Sequence, residues 1–166
     1  MILEYLQPDA SILDGITVII RALYYIATIG AAGLAIFAIG FEHRLEAHEA
    51  ARLRRTLLGA ILAGLALSLL ALILRVLVLT AGANISDPNV WAAVMRSRIG
   101  DAFWLRTAGL VLLAAMVTNW RIRSAMTAIG ALLMLASYAA MGHSMLFAPR
   151  QEIAALVVLH LAVVAF

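Results

Sequence analysis

Long apolar runs dominate this sequence, and they limit what the chain can fold into. The clearest run is TLLGAILAGLALSLLALILRVLVLTAGA at residues 56–83, in which Arg75 is the single charged residue. A helix needs about 20 apolar residues to cross the hydrocarbon core of a bilayer. This run is long enough to do so, and a soluble domain could not cover so much apolar surface.

The composition extends this conclusion to the whole chain. Hydrophobic residues make up 65% of the 166 residues and charged residues 13%, whereas a soluble domain contains about 25% charged residues. Further apolar runs lie at 16–41, 102–120, 124–142 and, shorter, 152–166. We therefore predict an all-α protein, a polytopic transmembrane helix bundle with four full spans and a partial fifth.

We find neither a soluble domain nor a linker, so residues 1–166 are interpreted as a single transmembrane helical domain. As a helix, the last run would be about 22 Å long, which is short of the roughly 30 Å hydrocarbon core. We expect the natural chain to continue, with this sequence as the N-terminal part of a longer bundle.

The composition and the motif content exclude several classes of function. The chain has no cysteine, which removes disulfides, thiolate metal sites and cysteine nucleophiles. Its formal charge of +3 is spread over short loops, so it forms no patch for nucleic acid. The sequence contains no phosphate-binding loop, HExxH motif or nucleophile elbow. We expect no bond-making chemistry and hence no enzyme activity.

The arginines predict an orientation in the membrane, because short cytoplasmic loops are enriched in basic residues. The loop EHRLEAHEAARLRR at 42–55 carries four arginines, and NWRIRS at 119–124 carries two. The N-terminal segment is acidic and has no basic residue before Arg21. We therefore predict that the N-terminus lies outside, in the periplasm or on the outside of the cell, and that the loop after the fourth span faces the same side.

Other charged residues lie near the outer ends of the spans, and we interpret them as structural. Arg21 and Arg75 lie inside apolar runs, where a long side chain can reach the interface or pair with an acid. Arg106 is assigned to the second loop, together with two other arginines. The candidate acidic partners of Arg21 and Arg75 are Asp14, Asp87 and Asp101.

The first cytoplasmic loop combines acidic, basic and imidazole groups. Glu42, Glu46 and Glu49 alternate with arginines at helical spacing, a pattern that favours solvated ion pairs. His43 and His48 leave a cytoplasmic metal-receiving patch as an alternative use of this loop.

Two histidines near the outer side are the main candidates for a functional site. His143 and His160 lie near the ends of MGHSMLFAPRQEIAALVVLH, which joins the fourth run to the fifth. Because a short loop makes these spans antiparallel neighbours, both histidines lie towards the outer side. An ionisable residue at membrane depth indicates a function, although an imidazole bonded to a neighbouring helix is the alternative.

The residues around His143 point to copper. Imidazole suits copper, zinc, iron and nickel, while a thioether sulfur selects Cu(I), and Met141 and Met145 flank His143. Methionine also fills gaps in helix packing, so a structural role stays open. We predict a copper site with His143, His160, Met141 and Met145 as ligands. Because His160 lies about 10 Å deeper by residue count, one shared site and two successive stations are both possible.

The run SYAAMGHSMLFAPRQEIAALVVLHLAVVAF resembles the copper resistance protein D (CopD) family of bacterial inner-membrane proteins. The resemblance is strongest over residues 96–166 and weaker, but compatible in topology, over the first two spans. The matching residues in this run are Ser137, Gly142, His143, Leu159, His160 and Leu161, and upstream of it Gly100, Trp104 and Arg106 also match the family pattern.

The resemblance implies copper binding and transport across the inner membrane, commonly towards the cytoplasm. It also implies a small periplasmic copper carrier of the CopC type as the partner, and it carries over His143 and His160 as metal candidates. Two other functions stay open. The histidines could bind haem in a membrane redox protein, or the chain could be an accessory subunit of a larger membrane complex.

Overall fold

Six helices make up the described part of the chain. The computed structural model describes the backbone of residues 10–80, 85–118, 121–141 and 150–165, and the side chains of these residues except 10–14, 141 and 150. The helices are α1 (Ala10–Phe41), α2 (Ala47–Leu79), α3 (Pro88–Met95), α4 (Arg98–Leu113), α5 (Arg123–Met141) and α6 (Arg150–Ala165). These residues include no strand, and the all-α prediction is confirmed.

Four helical segments are long and apolar enough to cross a membrane, as predicted. They are Gly15–Arg44, Ala47–Leu79, Arg98–Val117 and Arg123–Ala140. The third continues from α4 into a short 3-10 helix at Ala114–Val117. The shorter apolar segment Gln151–Ala165 corresponds to the predicted partial fifth span.

The helices begin earlier than their apolar runs, because capping residues decide where a helix starts. α2 begins at Ala47 rather than 56, behind a capping box in which Glu46 and Glu49 each accept a backbone N–H. α4 begins at Arg98 rather than 102, where the Ser97 side chain accepts the Ile99 N–H. Arg106 therefore lies within a spanning helix, and its assignment to the second loop is wrong.

Glycines set the closest approach between the helices. A Cβ on Gly109 of α4 would lie 2.7 Å from the carbonyl oxygen of Gly130, and a Cβ on Gly130 of α5 would lie 2.7 Å from that of Gly109. The two backbones therefore touch where α4 and α5 cross. Glycines of α1 and α2 also allow close packing, since Gly33 contacts the Ala165 backbone and Gly64 contacts Thr28 and Leu110.

The core lies between α1, α2, α4 and α5. α1 buries a stripe of alanines against large apolar side chains, including Leu57, Leu110 and Met134. α6 packs on this core through Val158, Leu161 and Ala162. The buried stripe of α1 comprises Ala31, Ala32, Ala35 and Ala38.

The two ends of the bundle differ in polarity. At the end where α1 begins and α5 finishes, a cavity opens between α1, α2, α4 and α5. On the predicted orientation this is the outer end. At the opposite end, Glu42 is buried and forms ion pairs with Arg54 of α2 and Arg123 of α5.

Candidate functional site

The structure describes only one of the four predicted copper ligands in full. Met141 is the last residue of α5, and its side chain is outside the described residues. His143 and Met145 fall in 142–149, which is also outside them. Of the four predicted ligands, His160 is the one whose side chain is described, and the proposed copper site stays a prediction.

His160 lies on the side of α6 that faces away from the bundle. Its side chain is exposed, while Val158, Leu161 and Ala162 on the other side of the helix pack on the core. His160 is ten residues beyond Arg150, about 15 Å along the helix axis. Within the described ranges, no three histidine, aspartate or glutamate side chains form a group that could hold a metal.

A different polar site lies at the outer end of the bundle, and we call it the arginine–tyrosine cavity. Its volume is about 660 Å³. Polar and aromatic groups of four helices converge on it, because α1, α2, α4 and α5 each present such a residue to the same space. The residues that define it are Arg21 and Tyr24 of α1, Arg75 of α2, Arg106 of α4 and Tyr138 of α5.

Arg106 is the most unusual residue in this cavity. Its side chain is 5% exposed, and Nε and Nη2 have no hydrogen-bond partner among the described residues. Its guanidinium carbon lies 4.6 Å from the ring centre of Tyr24 and 5.0 Å from that of Tyr138. Each desolvated cation–π contact contributes about 2 kcal/mol, and burying an ion costs several kcal/mol.

Hydrogen bonds through Thr28 hold the Tyr138 ring beside Arg106. The Thr28 hydroxyl donates to the carbonyl oxygen of Tyr24 over 2.7 Å. Its single proton is then used, so the Tyr138 hydroxyl donates to Thr28 Oγ1. The Tyr138 ring is thereby fixed beside the guanidinium. The hydroxyl of Tyr24 is buried without a partner among the described residues.

The cavity carries an unbalanced positive charge. Its lining includes three arginines and, among the described residues, no acidic residue. The ion pairs of the described residues involve Glu42 and Glu46, which lie at the opposite end. The predicted pairing of Arg21 and Arg75 with Asp87 or Asp101 is therefore not found. The Asp87 side chain instead caps α3 by accepting the Asn89 N–H, and the Asp14 side chain is outside the described residues.

Sequence reasoning missed the role of Arg106, although the sequence holds a signal for it. Ala102, Arg106, Gly109 and Leu113 are all buried and follow one another at helical spacing. An arginine within such a stripe of small and apolar residues must face the interior of a bundle. Ser97 is a good N-cap, and a predicted helix that begins after Ser97 includes Arg106 at membrane depth.

The loop between α1 and α2 does not form the alternative metal patch in the described structure. Both carboxylate oxygens of Glu42 are engaged by arginines, one by Arg54 and the other by Arg123 over 3.1 Å. His43 is exposed, and His48 lies 3.3 Å from Glu46 at the surface. The expectation of solvated ion pairs is wrong for Glu42, which is 7% exposed because α2 and α5 close over it.

Comparison with known proteins identifies the family. A family model described as "Copper resistance protein D-like, N-terminal domain" matches residues 12–148. The matched region contains His143 and all four full spans, and it ends before His160. No curated protein and no solved structure matches the chain. Because the match covers most of the sequence, the chain belongs to the copper resistance protein D-like family and corresponds to that family's N-terminal domain.

Proposed function

We propose that this protein binds a copper ion at the periplasmic face of the inner membrane and passes it towards the cytoplasm. The observation that carries the proposal is the family match over residues 12–148, which indicates a role in copper resistance. The chain provides imidazole and thioether groups, which suit copper, around the end of α5 and on α6. Copper is the cargo here, and we propose no enzyme activity.

The charges of the bundle bear on the route that copper takes. At an effective dielectric constant of about 20, two positive unit charges about 8 Å apart repel each other by about 2 kcal/mol. Three arginines in the arginine–tyrosine cavity therefore make it unfavourable for a copper cation. The exposed face of α6 that carries His160 does not line this cavity. We place the route there, with His143 and His160 as successive stations and a CopC-type carrier as the donor.

The first prediction concerns bound copper. Detergent-purified wild-type protein should carry about one copper ion per chain after loading, measured by inductively coupled plasma mass spectrometry. The His143→Ala/His160→Ala variant should lose nearly all of it, because both imidazoles are removed. The matched control is His43→Ala/His48→Ala, which removes two histidines from the first loop and should retain the copper.

Two results would contradict the copper proposal. Copper that stays in the His143→Ala/His160→Ala variant would place the ion elsewhere. Wild-type protein that takes up no copper would leave an accessory membrane subunit as the better description of the chain. Iron with a Soret absorption band would instead support a haem protein.

The second prediction concerns orientation, and the chain suits the test because it contains no cysteine. Ser86→Cys precedes α3 at the outer end, and Ala47→Cys begins α2 at the opposite end; both positions are exposed. In spheroplasts, a membrane-impermeant maleimide should label Ser86→Cys, and label Ala47→Cys only after permeabilisation. The reverse pattern would place the N-terminus in the cytoplasm and the predicted copper site on the wrong face.

A further inference from the structure

The arginine–tyrosine cavity holds more positive charge than its own residues balance. Arginine remains charged in proteins, so Arg106 cannot avoid the cost of burial by losing its proton. Two tyrosine rings contact its guanidinium. Its Nε and Nη2 groups nevertheless have no hydrogen-bond acceptor among the described residues. Arg21 and Arg75 add their charges to the same space. A buried charge without a partner in a spanning helix indicates a function by default.

The unpartnered groups in this cavity are all hydrogen-bond donors. Among the described residues, they are the Nε and Nη2 groups of Arg106 and the hydroxyl of Tyr24. A guanidinium has donors and no acceptor, so the group that satisfies it must be an acceptor. Because no acidic side chain among the described residues lines the cavity, an anion would also balance its positive charge.

We propose that the arginine–tyrosine cavity is a binding site for a phosphate-class oxyanion, held by Arg106 with Arg21, Arg75 and the Tyr24 hydroxyl. This site is separate from the proposed copper ligands and would exist whether or not copper is transported. Its role is to neutralise Arg106 and to link α1, α2 and α4 at the outer end of the bundle.

Phosphate fits this set of donors better than a carboxylate does. Three guanidinium groups and one hydroxyl offer more donors than the two oxygens of a carboxylate can accept in good geometry. A phosphate group presents more oxygens, and arginine binds it through paired N–H bonds. Free phosphate can carry two negative charges and so offsets more of the three positive charges than a carboxylate, whereas a phosphodiester headgroup carries one.

The size and lining of the cavity favour a phosphate that is attached to an apolar body. The volume of about 660 Å³ exceeds the needs of an inorganic ion. Leu72, Ile99 and Phe103 line it beside the polar groups. The headgroup of an anionic phospholipid combines both properties, and free phosphate shares the same recognition chemistry. The experiment separates these two sources.

The test uses the full chain in a delipidated detergent preparation. For the lipid source, phosphatidylglycerol is added and the retained lipid is counted by native mass spectrometry. Diacylglycerol with the same acyl chains serves as the probe that lacks phosphate. For the free ion, the melting temperature is followed while inorganic phosphate replaces chloride at constant ionic strength.

Three variants define the site. Arg106→Gln should weaken binding of the effective probe at least about tenfold, because it removes the charged donors at the centre. Arg75→Gln changes an exposed side chain, so the fold should persist while binding falls about threefold. The matched control is Arg52→Gln, an exposed arginine at the opposite end of α2, which should bind as the wild type does.

Each result of the binding experiments either supports or overturns the proposed site. Retention of phosphatidylglycerol that is weakened in both cavity variants and unchanged in Arg52→Gln supports the site with a lipid headgroup as its ligand. Stabilisation by inorganic phosphate alone, with the same dependence on Arg75, supports it with a free ion. The proposal is overturned if neither probe binds, if diacylglycerol is retained equally well, or if Arg75→Gln binds as tightly as Arg52→Gln.

Discussion

Gly109→Ala should lower the free energy of unfolding of this protein by about 2–3 kcal/mol. The new Cβ would lie 2.7 Å from both the Gly130 carbonyl oxygen and the Met134 backbone nitrogen. These are backbone atoms, which cannot rotate away as a flexible side chain could, so α4 and α5 must separate. Overpacking of this kind costs about 1–3 kcal/mol. The measurement is unfolding by a denaturing detergent, followed by far-ultraviolet circular dichroism.

Gly59→Ala is the matched control, because it makes the same chemical change in α2. A Cβ at Gly59 meets nothing within 4 Å. Alanine favours the helix by about 1 kcal/mol over glycine, so this variant should be as stable as the wild type or slightly more. Equal stability of Gly109→Ala and Gly59→Ala would refute the crossing. Gly109→Ala/Gly130→Ala should cost less than the two single changes added together, since both open one contact.

Glu42→Gln should lower the free energy of unfolding by about 3 kcal/mol. This carboxylate is 7% exposed and forms ion pairs with Arg54 and Arg123, whose side chains are 33% and 29% exposed. Removing one partner of a buried ion pair costs about 3–5 kcal/mol. The low end applies, because both arginines still reach water in the variant. Chemical unfolding of detergent-purified protein gives the value, and added salt should change it little because Glu42 is shielded.

Glu152→Gln provides the comparison at an exposed glutamate in the first turn of α6. Its cost should stay within about 0.5 kcal/mol, as is usual for surface substitutions. A double-mutant cycle with Arg123→Gln then isolates the direct interaction with Glu42. A loss for Glu42→Gln no larger than that for Glu152→Gln would show that the ion pairs do not hold the first loop to α2 and α5.

The spans could be predicted from sequence because apolar length is a local property. Runs such as 56–83 exceed the thickness of the hydrocarbon core, and the four spanning segments follow from that comparison. Their starting points were less predictable. α2 begins within a charged segment because the Glu46 and Glu49 capping box satisfies its first N–H groups, and apolar periodicity does not contain this signal.

The candidate sites were predictable to different degrees. His143 and His160 stand out in sequence because histidine is rare in an apolar chain, and the family match includes the first of them. The arginine–tyrosine cavity could not be predicted in the same way. Tyr24, Arg75, Arg106 and Tyr138 are far apart in the chain, and each could be interpreted alone as an ordinary residue near a membrane interface.

The sequence by itself determined that the chain lies in a membrane, how many full spans it has and that these spans are helices. A helix pairs its backbone N–H and C=O groups internally, as the hydrocarbon core of a bilayer requires. It also indicated the copper-related family through short segments of neighbouring residues. Only the tertiary structure decided which face of each helix is buried. That choice brings Gly109 against Gly130, encloses Glu42 between two arginines, and places Arg106 between two tyrosine rings. Contacts between distant segments depend on how the helices rotate and cross, and no single segment contains that information.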